Sequence, residues 1–241
     1  MVQPTEAGSD LRSHLARVRE RIATAAARCG RESQEVTLVA VSKTHPAAAV
    51  SAALSAGVTD FGENRVQEAE SKIPLLKDPG ARWHLIGHLQ ANKARRAVRL
   101  FEVIHTVDST SLAQRLDRAC GDEQRQELRI LIQVDLAGEA TKSGVAENKL
   151  SDLVESMREC PRLRLTGLMV LPPFFEDPEQ VRPFFKKLRE LRDEIQSNGH
   201  FGDRRGELSM GMSHDFEVAI EEGATIVRVG TAIFGERKSQ T

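Results

Sequence analysis

The sequence predicts a single closed (β/α)8 barrel of the TIM type with one extra helix in front. Three observations carry that expectation. Short apolar, β-branched runs alternate with helical stretches along the chain, which argues for a parallel sheet covered by helices. Eight such units within 241 residues match the size of a closed barrel, about 250 residues. No linker, low-complexity tract or charge block divides the chain, so residues 1–241 read as one domain, with 1–9 expected to be disordered and 237–241 a tail. A doubly wound open sheet is the alternative architecture.

The elements follow in order. Leu11, Leu15, Val18 and Ile22 lie on one face of an amphipathic helix that Asp10 would cap and Cys29-Gly30 would close. The run VTLVAVSK predicts the first strand, about 36–42, with Lys43 just past its carboxyl end and Thr44-His45-Pro46 stopping it. Residues 47–56 are helical, stopped by Gly57. A second strand, about 58–61, leads into Gly62-Glu63-Asn64 and a helix over 65–76. The third strand, about 82–86, precedes a helix over QANKARRAVRL. The fourth, about 102–107, ends at Asp108 or Ser109, either of which could cap the next helix. The fifth is about 129–135, with a helix near 147–159, and the sixth about 163–170, with a helix over 178–197. A short seventh strand, about 207–210, precedes a helix from Asp215 to Glu222. The eighth, about 225–229, runs into GTAIFGER.

Composition excludes several classes. Lys+Arg is 34 against 35 Asp+Glu, which leaves no electrostatic footprint for nucleic acid or an anionic membrane. No apolar run approaches the roughly 18 residues of a membrane span. The opening MVQPTEAGSD lacks the charged and apolar regions of a secretory signal. Cys29, Cys120 and Cys160 are widely spaced, each before Gly or Pro, which argues against a disulfide framework or a cysteine zinc site and fits a reduced cytoplasm. His84 and His88 straddle Gly87 at a strand end and need not share a face, so no metal site is expected. Lys93, Arg95, Arg96 and Arg99 read as a solvated helix face, and Phe174, Phe175, Phe184 and Phe185 as packing.

Chemistry in such barrels collects at the carboxyl ends of the strands. Here those ends hold Lys43, Asn64, Gly87-His88, Asp135, Met169, the segment Ser209-Met210-Gly211-Met212-Ser213, and Gly230-Thr231. By position alone, Lys43 is either a rim residue reaching water or an amine in a half-enclosed pocket. Gly211 and Ser213 before a helix, with Gly230-Thr231 after the last strand, can cradle a phosphate, or can be ordinary turn residues. In TIVRVG the period of two places Arg228 with Ile226 and Gly230 on one face. An arginine on such a strand is either paired with a carboxylate inside the barrel or aimed at a ring nitrogen or an anion. Lysine, phosphate cup and arginine together suit a phosphorylated aldehyde. Lysine forms a Schiff base with the aldehyde, and pyridoxal 5′-phosphate (PLP) adds a ring nitrogen for Arg228.

The segments LVAVSKTHP, FGENRVQE, WHLIGHLQANK, IHTVDS, TKSGV, GLMVLPP, LSMGMSHDFEVAI and RVGTAIFG span residues 38–236. In them the chain resembles the YggS/PROSC family of PLP homeostasis proteins. The resemblance implies a fold-type III PLP-protein barrel like the N-terminal domain of alanine racemase, without that enzyme's second domain. It implies that Lys43 carries PLP as a Schiff base, and that Asn64 lies close to the cofactor. Ser209, Ser213, Gly230 and Thr231 would hold the phosphate, with Met210 also counted among the cofactor-binding residues and Arg228 facing the pyridine nitrogen. Lys142 matches a family lysine implicated in PLP handling. An arginine at the ring nitrogen disfavours its protonation and weakens the ring as an electron sink. The family implies a protein that buffers PLP and delivers it to apo PLP-dependent enzymes, with no established catalysis and so no catalytic residues expected; a cytoplasmic location and a monomer are expected alongside. Two alternatives are a PLP-dependent amino-acid racemase and a Schiff-base aldolase acting on a phosphorylated sugar. The sequence contains no tyrosine, the residue that serves alanine racemase as its opposing acid/base, which counts against the first.

Overall fold

A computed structural model describes residues 6–76, 80–138 and 143–235. Among these residues eight parallel strands close into a barrel. They are β1 (Thr37–Val41), β2 (Asp60–Glu63), β3 (Arg82–Leu85), β4 (Val103–Val107), β5 (Leu128–Asp135), β7 (Leu163–Val170), β8 (Glu207–Ser209) and β9 (Ile226–Val229). A two-residue strand, β6 (Val145–Ala146), adds to the carboxyl end of β5. The hydrogen-bonded order runs β4-β3-β2-β1-β9-β8-β7-β5, and β4 pairs with β5 to close the ring. That closure rules out the open doubly wound sheet, which would leave two free edges.

Helices follow the strands around the outside: α2 (Ala47–Ser55), α3 (Val66–Lys72), α4 (Ala94–Leu100), α5 (Thr110–Asp122), α6 (Leu150–Ser156), α7 (Arg182–Ser197), α8 (Phe216–Glu221) and α9 (Thr231–Phe234). The last two are short and cover little of the sheet's outer face. The extra helix α1 (Glu6–Arg28) packs against both, burying Leu11, Leu15, Val18, Ile22, Ala25 and Ala26. Arg21 ties it down, pairing with Glu217 at 2.6 Å while its guanidinium lies over the Phe216 ring. The helix begins at Glu6, so Asp10 lies inside it instead of capping it, and residues 6–9 are helical, not disordered. Ser109, and not Asp108, caps α5, accepting a hydrogen bond from the Leu112 N–H at 3.4 Å.

Two apolar layers result. The larger lies between the sheet and the ring of helices. A smaller one inside the barrel holds Val39, Val103, Leu131, Met169 and Ile226. β2 starts two residues later than its apolar run predicts, because its register against β1 pairs Val39 with Asp60 and Val41 with Gly62. Asp60 and Glu63, polar residues at the two ends of β2, are thereby buried. Among the four phenylalanines expected to pack, Phe185 is fully buried, but Phe174 is 76% exposed and meets only the tilted His214 ring among the described aromatic contacts. Cys120 and Cys160 are buried, and burial pushes the Cys120 thiol up to about 11, which makes it inert. Residues 1–5, Lys142 and the tail from residue 236 lie outside the described residues.

Candidate functional site

The strand register gathers the carboxyl-end residues at one mouth. β1 lies between β2 and β9, and Val39 pairs with Arg228. Lys43, Asn64 and Gly230 therefore leave the barrel from three adjacent strands.

Lys43 is half-buried, and the backbone around it is held from two sides. Thr44 has φ +67°, a left-handed conformation that costs a β-branched residue energy unless its surroundings impose it. They do so through α3. The Thr44 N–H donates to Glu68 Oε2 at 3.0 Å, and Lys72 Nζ donates to the Ser42 carbonyl at 2.8 Å. On the other side the His45 ring stacks on Phe234 of α9 at 5.0 Å between centroids. Behind the loop, Glu63 Oε1 accepts from Ser42 Oγ at 2.7 Å and from Lys72 Nζ. Burial raises the Glu63 pKa against the opposing pull of Lys72 and Ser42.

Asn64 follows β2 and is half-buried. Its backbone packs so closely on Gly87 that a Cβ there would lie 2.3 Å from the Asn64 carbonyl oxygen. Glycine is thus required at 87 by proximity. A groove of about 600 Å³ opens beside this contact, lined by Asn64, Arg65, Gly87, His88 and Lys93 among others. Arg95 and Arg99 instead pair with Glu123, and Arg96 with Glu70, on the solvent face, as the charge pattern predicts.

The loops after β8 and β9 meet. Ser213 Oγ accepts from the Gly230 N–H at 3.2 Å, and the Arg228 N–H donates to the Gly211 carbonyl at 3.0 Å. Asp215 Oδ1 accepts from the Met212 N–H at 2.6 Å, which tightens the turn. Gly211 has φ +91°, and a Cβ on it would press on Ala219 at 2.6 Å. Gly230 sits against β1, where an added Cβ would lie 3.3 Å from the Val41 carbonyl oxygen. Thr231 is exposed at the start of α9. Ser213, Gly230 and Thr231 thus form one concave edge beside the end of β1.

Ser209 and Met210 do not join that edge. The alternation of a strand turns Met210 outward into the larger apolar layer, and its N–H is bonded to the Ile226 carbonyl. Ser209 turns inward and is fully buried. Its hydroxyl accepts from Arg228 Nη1 at 2.6 Å, while Arg228 Nη2 donates to the Val170 carbonyl at 2.9 Å. Arg228 is 3% exposed, and both contacts are neutral oxygens, so it does not form the carboxylate pair that was one expectation for it. Burial lowers its pKa to about 10, opposed by Asp215, and it stays charged at neutral pH.

From Ser209 a buried chain crosses the barrel. Ser209 Oγ lies 2.9 Å from His105 Nδ1, His105 Nε2 lies 2.9 Å from His84 Nδ1, and His84 Nε2 lies 2.9 Å from Asp60 Oδ1. Asp60 Oδ2 accepts from Arg82 and Thr59. Burial works against the Asp60 charge, but the bonds from His84, Arg82 and Thr59 outweigh it and lower its pKa to about 2. Burial, then the nearby His84 and Arg228, push the His105 pKa well below the usual histidine value. Sequence reasoning missed this chain. The available signal was polar residues on the inward period of otherwise apolar strands, as in VIHTV and RWHL. His88 stands apart, exposed and 3.6 Å from Asp108. Among the described residues no three histidines, cysteines or acids gather as a metal site would need.

Residues 13–238 match the family described as alanine racemase, N-terminal domain. A pyridoxal phosphate homeostasis protein of Aquifex aeolicus is 47% identical over 93% of this chain and 97% of its own. One of Escherichia coli is 42% identical over 95% and 97%. Among solved structures, PipY of Synechococcus elongatus with PLP bound is 40% identical, with a TM-score of 0.82 over 93% of this chain and all of its own. The alanine racemase of Corynebacterium glutamicum, 18% identical with a TM-score of 0.62, shares the fold over 92% of this chain and 61% of its own. The chain belongs to the alanine racemase N-terminal domain family and, within it, to the pyridoxal phosphate homeostasis proteins.

Proposed function

We propose that this protein binds PLP at the carboxyl-end mouth as a Schiff base on Lys43 and serves PLP homeostasis by holding and handing on the cofactor. The observation that carries the reading is the adjacency set by β2, β1, β9 and β8. A half-buried lysine, a glycine-hydroxyl edge and a buried, charged arginine lie within four neighbouring strands. The residues fit the group. Gly230 leaves room for close approach beside β1, and Ser213 and Thr231 add hydroxyls for a phosphate. Asn64 borders the same mouth, and Ser209 acts from behind it through its bond with Arg228.

When bound, PLP supplies an electrophilic aldehyde and, in enzymes, an electron sink. Lys43 Nζ would hold the aldehyde carbon. Arg228 would face the pyridine nitrogen, where its positive charge would discourage a proton on that nitrogen, which suits a carrier better than a catalyst. The absence of tyrosine from the sequence removes the usual opposing acid/base. Named relatives that are PLP homeostasis proteins support the same reading. We read the chain as one cytoplasmic domain acting as a monomer, with apo PLP-dependent enzymes as recipients. Among the described residues no helix is long and apolar enough to cross a membrane.

The test is an absorption spectrum of the purified protein before and after borohydride, beside Lys43→Ala. A visible band that is lost on reduction and absent from the variant is the expected result. A protein that stays colourless with added PLP, or a variant trapped at the same place, overturns the assignment. Exchange of an amino-acid α-proton by the loaded protein would favour the racemase alternative.

A further inference from the structure

The buried chain between Asp60 and Arg228 has one direction. An arginine only donates, so Ser209 Oγ is an acceptor toward Arg228. At the other end Asp60 is an ionised carboxylate and only accepts, so His84 Nε2 carries a proton. Where His84 carries its one proton on Nε2, its Nδ1 is bare and accepts from His105 Nε2–H. His105 is neutral too, which leaves its Nδ1 free to accept the Ser209 hydroxyl proton. Each donor then points the same way, from guanidinium through hydroxyl and two imidazoles to carboxylate. The opposite tautomer of His105 would turn Nδ1–H onto Ser209, take away the hydroxyl's acceptor, and require His84 to be a cation.

We propose that His105, His84 and Asp60 are positioning residues that fix the Ser209 hydroxyl and, through it, the orientation and charge of Arg228. The chain joins a buried cation to a buried anion across five strands, β2, β3, β4, β8 and β9, through four buried links that begin at Arg228. Such polarised series hold their members more firmly than isolated bonds do. This deepens the PLP reading and rests on it where the cofactor is concerned: Arg228 is aimed from the barrel interior instead of from the loops that would hold the phosphate.

Two experiments decide it. The first needs no cofactor: long-range proton–nitrogen NMR spectra of the histidine rings in the apoprotein at neutral pH. A neutral His105 protonated on Nε2 is expected, and an Nδ1–H or a cationic ring overturns the chain. The second is Asp60→Asn, which removes the terminal charge without touching the mouth. PLP binding should weaken about tenfold, the scale of one charge-assisted hydrogen bond, and the bound absorption band should shift. A variant that melts earlier but binds PLP with unchanged affinity and band would make Asp60 merely structural and refute the positioning role. If the wild type binds no PLP, the functional reading fails, while the NMR result still decides the chain.

Discussion

Lys72→Met tests how tightly the base of the Lys43 loop is held. The substitution keeps the length and apolar stem of the side chain and removes only the ammonium. Glu63 is fully buried, its Oε2 has no hydrogen-bond partner among the described residues, and its Oε1 is shared by Lys72 and Ser42. Without Lys72 it must either remain charged in a dry site or take up a proton. Breaking a buried pair from one side costs about 3–5 kcal/mol. The pH dependence follows from the raised pKa of Glu63, which loss of Lys72 raises further. A carboxyl whose folded pKa exceeds its unfolded value lends stability below the unfolded pKa and loses it as pH rises through the folded one. The deficit should therefore be smaller at pH 5 than at pH 8, growing by at most about 1.4 kcal/mol per pH unit for one proton. Urea unfolding of the apoprotein at pH 5, 6.5 and 8 measures it. A deficit under about 1 kcal/mol at pH 8, or equal deficits at both ends, would mean that Glu63 is not held as a buried anion. The double variant with Glu63→Gln should recover most of the loss, because no charge is then left alone.

The acid limb of stability should carry the signature of Asp60. Its folded pKa of about 2 lies below the ordinary 3.8, so it contributes stability above pH 4 that is lost as pH falls through 2, ~2 kcal/mol in all. In urea midpoints the gap between wild type and Asp60→Asn should close over that window; a constant gap would refute the assignment. Gly87→Ala should cost ~1–3 kcal/mol, since the new methyl meets backbone atoms of Asn64 that no rotamer can move aside. An unchanged melting temperature would show that this loop gives way freely. Ser213→Asp should keep the fold, because a carboxylate can still accept the Gly230 N–H, yet repel a phosphate and weaken PLP binding more than about tenfold. Wild-type affinity in that variant would move the phosphate site elsewhere.

The barrel was legible because its signal is local. Apolar runs and turn residues mark each strand and helix, and the helix over 47–56 stands as α2 with the same start. Lys43, Asn64, Ser213 and Gly230 were legible for a related reason: strand ends in a parallel barrel converge whatever the sequence between them. Two things were hidden. The bounds of β2 depend on register against β1, which buries Asp60 and Glu63 in spite of their polarity. The interior chain joins residues separated by up to 104 positions, and a histidine in a strand does not announce its partner on another. The resemblance put Ser209 with the phosphate residues and Met210 among the cofactor-binding ones, whereas the two-residue period sends them to opposite faces, both away from the edge that Ser213 and Gly230 form.

The filled interior has a consequence for traffic. Val39, Val103, Leu131, Met169 and Ile226 form an apolar cluster inside the ring, where His84, His105 and Arg228 are also buried, and a barrel filled in this way is a packed core and not a pore. Whatever occupies the mouth has to arrive and depart by one door. On the proposed carrier function, loading and unloading then exclude each other in time, and a recipient that covered the mouth would also block refilling until it left.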